Sequence, residues 1–178
     1  NNDVDLSTEA SAEVDTSDWL TYANDEYGFS FKYPKEWNFA QEGTNTHYRY
    51  LYSKQNSDDS GGELASGETK IDISIITSQD DFLTESTLCQ RQYSSLKKED
   101  YEIRCTTLQS GGLSFLEIET EIFPDGELPG DSMSLLYTHS SDEPFQIEMS
   151  AYFGSSDALY TSDKAIVESI FSSVQILP

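Results

Sequence analysis

Apolar and polar residues alternate with period two in several stretches of this chain, and the densest is Tyr27–Trp37. Phe29, Phe31 and Tyr33 alternate there with Ser30 and Lys32, which predicts a strand with one aromatic and one polar face. Gly28 permits a positive φ just before it. Pro34 cannot donate to a sheet ladder and ends the run. Trp37 and Phe39 open a second apolar patch. Large aromatics bury ~150–250 Å² each, so Phe29, Phe31, Tyr33 and Trp37 are expected to form one cluster where a sheet meets a helix.

The same reading extends along the chain. Residues 19–22 predict a short entering strand, and Asn24-Asp25-Glu26 a turn. Tyr48, Tyr50 and Tyr52 share one face of a strand over 47–52. Residues 54–69 are polar and aperiodic, a loop longer than a normal hairpin connection. Ile71, Ile73 and Ile75 predict a central strand with one wet face. From Phe82 to Lys98, Leu88, Cys89, Gln92, Tyr93 and Leu96 fall on one helical face. Asp80-Asp81 at its start and Lys97-Lys98 at its end suit the helix dipole. Strands follow over 101–105 and, after a turn at Gly111-Gly112, along Leu116, Ile118, Thr120 and Ile122. Glu117, Glu119 and Glu121 line the opposite face and are expected to meet water. Residues 124–131 form a turn-rich connector. Two more strand faces are Met133, Leu135 and Tyr137, then Phe145, Ile147, Met149, Ala151 and Phe153. Ser162 reads as the N-cap of a helix over Asp163–Ser172, and residues 174–177 as a closing strand. These elements predict an α+β fold: one antiparallel sheet of about six to nine strands flanked by two helices.

Charge changes the picture at the N-terminus. Residues 1–18 hold six acids and no basic residue, a composition that cannot bury enough apolar surface to offset ordering entropy. They are expected to be a flexible acidic tether ahead of a domain spanning 19–178. Over the whole chain 33 Asp and Glu oppose 10 Lys and Arg, a formal charge of −23. Such a surface excludes nucleic acid, whose binding needs neutralising Lys and Arg. It attracts cations or a basic partner. No stretch approaches the ~18–20 apolar residues of a membrane span, so no direct insertion by this chain is expected. The first residue is Asn1 rather than Met, which with the tether suggests a removed leader.

Little in the sequence points to catalysis. His47 and His139 are the only histidines, and no G-x-S-x-G accompanies them; Ser110–Ser114 reads as a glycine hairpin. Carboxylate pairs are expected by chance among so many acids, so they carry no signal for glycoside cleavage. Asp58, Asp59 and Glu63, or Asp125, Glu127 and Asp131, offer oxygens to calcium. Neither set follows the EF-hand spacing, and solvated turns are the expected reading. Cys89 and Cys105 are the only cysteines and lie 16 positions apart. Metal spacings such as C-x-x-C are absent, and one disulfide is expected. No catalytic, cofactor-binding or metal residue is assigned.

The run Asp25–Trp37 also resembles the opening signature of the PsbP-like family, Y-G-F-x-F-x-Y-P-x-x-W. Residues 166–177 are similar to the family's closing helix and strand. The resemblance covers 19–177 in element order and these two stretches closely. It implies an antiparallel sheet flanked by helices, in secreted or lumenal domains that are often bacterial lipoproteins. It implies little about activity: plant members are accessory subunits of photosystem II, a nuclear-import factor shares the fold, and most bacterial members have no assigned role. The expected function is a non-enzymatic, secreted or surface-tethered accessory or binding module, monomeric, with a protein or envelope component as partner. The alternatives are a carboxylate-dependent hydrolase and a calcium-responsive structural protein. A cleft with two inward carboxylates would favour the first, and three or more carboxylates around one point the second. An aromatic patch on a shallow face would favour the binding module.

Overall fold

The aromatic run does form a strand, and its partners come from both ends of the chain. The computed structural model describes residues 14–40, 47–54, 67–78, 82, 89–90, 101–110, 113–122, 132–137, 145–153 and 157–177. β1 (Leu20–Asn24) and β2 (Phe29–Tyr33) make a hairpin, with Tyr22 opposite Phe31 and Asn24 opposite Phe29. Asn24 Oδ1 accepts from the Tyr27 N–H at 3.1 Å, fixing the turn. Gly28 takes φ +62°, the left-handed region that favours glycine. Its carbonyl accepts from the Leu177 N–H at 2.6 Å.

After Pro34 the chain crosses to a second sheet. Its strands are β3 (Asn38–Phe39), β4 (Tyr48–Tyr52), β5 (Thr69–Ile76), β6 (Tyr101–Ser110), β7 (Leu113–Ile122), β8 (Ser132–Tyr137) and β9 (Gln146–Phe153). β10 (Gln175–Ile176) returns to the first sheet beside β2. The small sheet runs β1-β2-β10 and the large one β3-β4-β5-β9-β8-β7-β6. Every pairing is antiparallel. The described residues thus hold ten strands in two sheets rather than one sheet of six to nine. The division lies at Pro34, which removes a ladder donor just where β2 would otherwise continue.

One helix is described, α1 (Asp157–Ser172). The expected helix over 82–98 lies mostly outside the described residues; within it Cys89 has helical backbone. α1 starts six residues before the expected Asp163, so Ser162 is inside it rather than its cap. Ser162 Oγ bonds its neighbour Asp163 Oδ1 at 2.9 Å. Ser155-Ser156-Asp157 offers capping residue types as good as Ser162, so residue type does not distinguish the two starts.

The main core lies between the two sheets and α1. Phe29, Phe31, Leu51, Ile71, Ile73, Phe115, Met149, Ala151, Val167, Ile170 and Phe171 are all buried in it. The β9 face of Phe145, Ile147, Met149, Ala151 and Phe153 is buried as its alternation predicts. On the other face of the large sheet, Leu116 and Ile118 form a second core with Ile103, Cys89 and Cys105. Cys89 and Cys105 are bonded, with Cα atoms 6.0 Å apart. A loop of this length constrains the unfolded chain by about 3 kcal/mol.

Candidate functional site

Tyr48, Tyr50 and Tyr52 repeat every second residue along β4, so they project from one face. Their rings confirm it: the Tyr48 and Tyr50 centroids are 4.8 Å apart and nearly perpendicular, and those of Tyr50 and Tyr52 are 6.4 Å apart. This is the face turned away from the main core. β5 brings Lys70 opposite Tyr52, Asp72 opposite Tyr50 and Ser74 opposite Tyr48. β9 then sets Tyr152 opposite Lys70.

These cross-strand neighbours build a polarised aromatic site. Lys70 Nζ lies 2.9 Å from Asp72 Oδ1. It also sits 4.5 Å from the Tyr50 ring centroid and 6.0 Å from that of Tyr152. Lys70 is 6% exposed. A buried ammonium is costly unless paired, and here one carboxylate and two ring faces offset that cost. The Tyr48 hydroxyl donates to Asp72 Oδ2 at 3.3 Å. Burial, then the Asp72 carboxylate, pushes the Tyr48 phenol well above its ordinary range, so it stays neutral. Exposure rises along the row from 2% at Tyr52 to 36% at Tyr48. The arrangement offers a stiff aromatic surface with a carboxylate behind it. Tyrosines held in this way give contact area at low entropic cost.

Tyr48, Tyr50 and Tyr52 were legible as one face from their spacing. Lys70 and Tyr152 were not, because β5 and β9 bring them together from 82 positions apart in sequence. The β5 face expected to be wet is covered at this end, where Tyr50 and Tyr152 flank Lys70.

The other candidates are dispersed. His47 Nε2 and the Tyr27 hydroxyl are 2.6 Å apart, and the Tyr27 ring also meets Phe145 edge-on at 5.6 Å. Ser114 Oγ accepts from Gln109 Nε2 at 3.0 Å across the β6–β7 hairpin. His139, Gly111-Gly112, and the acidic sets Asp58, Asp59 and Glu63 and Asp125, Glu127 and Asp131 lie outside the described residues. Among the described residues, no three His, Cys, Asp or Glu side chains converge as a metal site would require.

Glu117 and Glu119 on β7 are not open to water as expected, because Lys164 of α1 reaches over this part of the strand. Lys164 Nζ meets Glu119 Oε1 at 2.8 Å, and Arg104 Nε meets Glu119 Oε2 at 3.1 Å. Burial favours the neutral form of Glu119, but hydrogen bonds from Arg104 and Lys164 outweigh it and hold the carboxyl below its usual range. Glu117 moves the other way, raised by burial and then by Glu168. Glu168 is itself raised by burial, with Lys164 opposing.

Comparison with known proteins agrees with this architecture. The family described as PsbP-like protein matches over residues 1–110. No curated protein matches the sequence. The solution structure of cyanobacterial PsbP from Synechocystis superposes with a TM-score of 0.55 at 11% identity, covering 96% of this chain and 98% of that one. The Ran-binding protein Mog1p of Saccharomyces cerevisiae superposes with a TM-score of 0.52 at 11% identity, covering 89% and 95%. At such identities the likeness is one of fold.

Proposed function

Since the chain belongs to the PsbP-like family, we propose that it is a non-enzymatic accessory module that binds a protein partner or envelope component through its tyrosine face. The observation that carries this reading is the row Tyr48-Tyr50-Tyr52, backed by Lys70 and Asp72 and open to solvent at Tyr48. Aromatic residues anchored in such settings dominate protein interfaces. The fold supports the reading too, because the neighbour from Saccharomyces is described as a Ran-binding protein. In this proposal residues 1–18 are a flexible acidic tether and residues 19–178 are the binding domain, acting as a monomer.

An extracytoplasmic setting, secreted or tethered to the envelope, belongs to the same proposal. The Cys89–Cys105 bond supports it, since disulfides persist in oxidising compartments. No described helix is long and apolar enough to cross a membrane. The charge of −23 argues against nucleic acid and favours a basic surface on the partner. Hydrolysis by carboxylates is the weaker reading, because Glu119 is committed to Arg104 and Lys164 beneath α1.

Tyr48→Ala tests the proposal. Truncating a tyrosine anchor costs about 2 kcal/mol or more, roughly thirtyfold in affinity. Affinity capture from an envelope extract should lose its specific band with Tyr48→Ala and keep it with Thr106→Ala on the distant β6. Equal capture by both variants would overturn the reading.

A further inference from the structure

The small sheet and α1 enclose a second feature, unrelated to the tyrosine face: a groove of about 570 Å³. This volume lies within the ~300–1,000 Å³ of small-molecule sites. Its two walls differ in chemistry. On the sheet wall, Ser30 and Lys32 project from the outer face of β2, with Thr21 opposite Lys32 on β1 and Gln175 opposite Ser30 on β10. Ser30 is 9% exposed, and its hydroxyl makes no hydrogen bond to any described residue. Lys32 has no carboxylate partner among the described residues. The Ser30 hydroxyl lines the groove beside the exposed ammonium of Lys32, so both offer donors to it.

The helix wall is made of acceptors. Ser169 Oγ spends its proton on the Ala165 carbonyl at 2.7 Å, and Ser172 Oγ spends its own on the Glu168 carbonyl at 2.7 Å. The Ser169 oxygen therefore lines the groove with lone pairs only. Glu168 stands on the same wall, and Lys164 approaches its carboxylate only to 3.9 Å, against 2.8 Å to Glu119. Among the described lining residues Ala165 is the only apolar one, and none carries an aromatic ring to stack on a sugar.

We propose that this groove binds a small zwitterion, a free amino acid or the backbone of a very short peptide. Its carboxylate lies toward Lys32 and Ser30, and its ammonium toward Glu168 and Ser169. Donors on one wall and acceptors on the other fit a ligand with the opposite polarity at its two ends. An isolated anion would meet Glu168, and an isolated cation would meet Lys32.

Triglycine, N-acetyl-triglycine and triglycine amide are the probes, titrated into the full chain at neutral pH and followed by amide NMR. Triglycine should shift the signals of Ser30, Lys32, Ser169 and Ser172. Blocking either end should weaken binding about tenfold, the scale of one charge-assisted hydrogen bond. Lys32→Gln and Glu168→Gln should each do the same. The end-blocked peptides act on the unaltered protein, so the test stands even if a variant folds poorly. Equal affinity for all three peptides, or no shift with triglycine at millimolar concentration, would overturn the proposal.

Discussion

Trp37 is 6% exposed and shares the main core with Phe29, Phe31 and Ile170. It follows directly on the Pro34 turn, closed by its own N–H to the Pro34 carbonyl at 3.0 Å. Removing the indole would leave a cavity that the two sheets and α1 cannot collapse to fill. Trp37→Ala should therefore cost about 3–5 kcal/mol. Urea unfolding measures this, and a loss below about 1 kcal/mol would place Trp37 at a surface instead. At this scale the core was largely legible, since period two marks Phe29 and Phe31 without any knowledge of partners. The cluster is wider than the sequence suggested, because Tyr22 on the neighbouring strand lies 5.0 Å from both Phe31 and Phe39. Ser30 shows the limit of such reading. Its polar type predicts a wet face, yet α1 and β10 close over it from residues more than a hundred positions away.

Among the elements, β7 is covered on both faces. Leu116 and Ile118 pack toward the Cys89–Cys105 bond, while Phe115, Glu117 and Glu119 turn toward the main core and α1. Alternation predicted this strand correctly but assigned its glutamates to water, because nothing local shows that a helix some 45 positions on will bring Lys164 over them. The charged groups acting on Glu117 are Glu119 on β7 and Lys164 and Glu168 on α1. Their effect on stability has a definite sign. Glu117 and Glu168 hold protons more tightly folded than unfolded, so acidification from neutrality toward 4.5 stabilises the fold. Glu119 does the reverse: its contribution is present above 4.5 and is lost as pH falls through its depressed native value. Melting temperature should thus rise as pH drops from 7 toward 5 and fall below 4.5. Glu117→Gln with Glu168→Gln should flatten the rise and spare the acid-side loss. A rise undiminished in that double variant would assign it to groups elsewhere.

For the molecule as a whole, charge is the dominant property. At −23 the folded chain repels itself, and exposed charges interact over a Debye length of ~10 Å at 0.1 M salt and ~30 Å at 0.01 M. Monovalent salt should therefore raise the melting temperature by general screening. Calcium separates two pictures of the acidic surface. Scattered carboxylates respond to ionic strength alone, so calcium at matched ionic strength should add little beyond sodium. A built site would instead add RT ln(1 + [L]/Kd), growing with calcium concentration. The described acids favour scatter, since Glu119 is neutralised by Arg104 and Lys164 and Asp72 by Lys70. Melting curves in NaCl and CaCl₂ at equal ionic strength should then coincide closely. An additional rise in calcium that disappears with Asp58→Asn or Asp125→Asn would show that one of the two acidic segments is a built cation site.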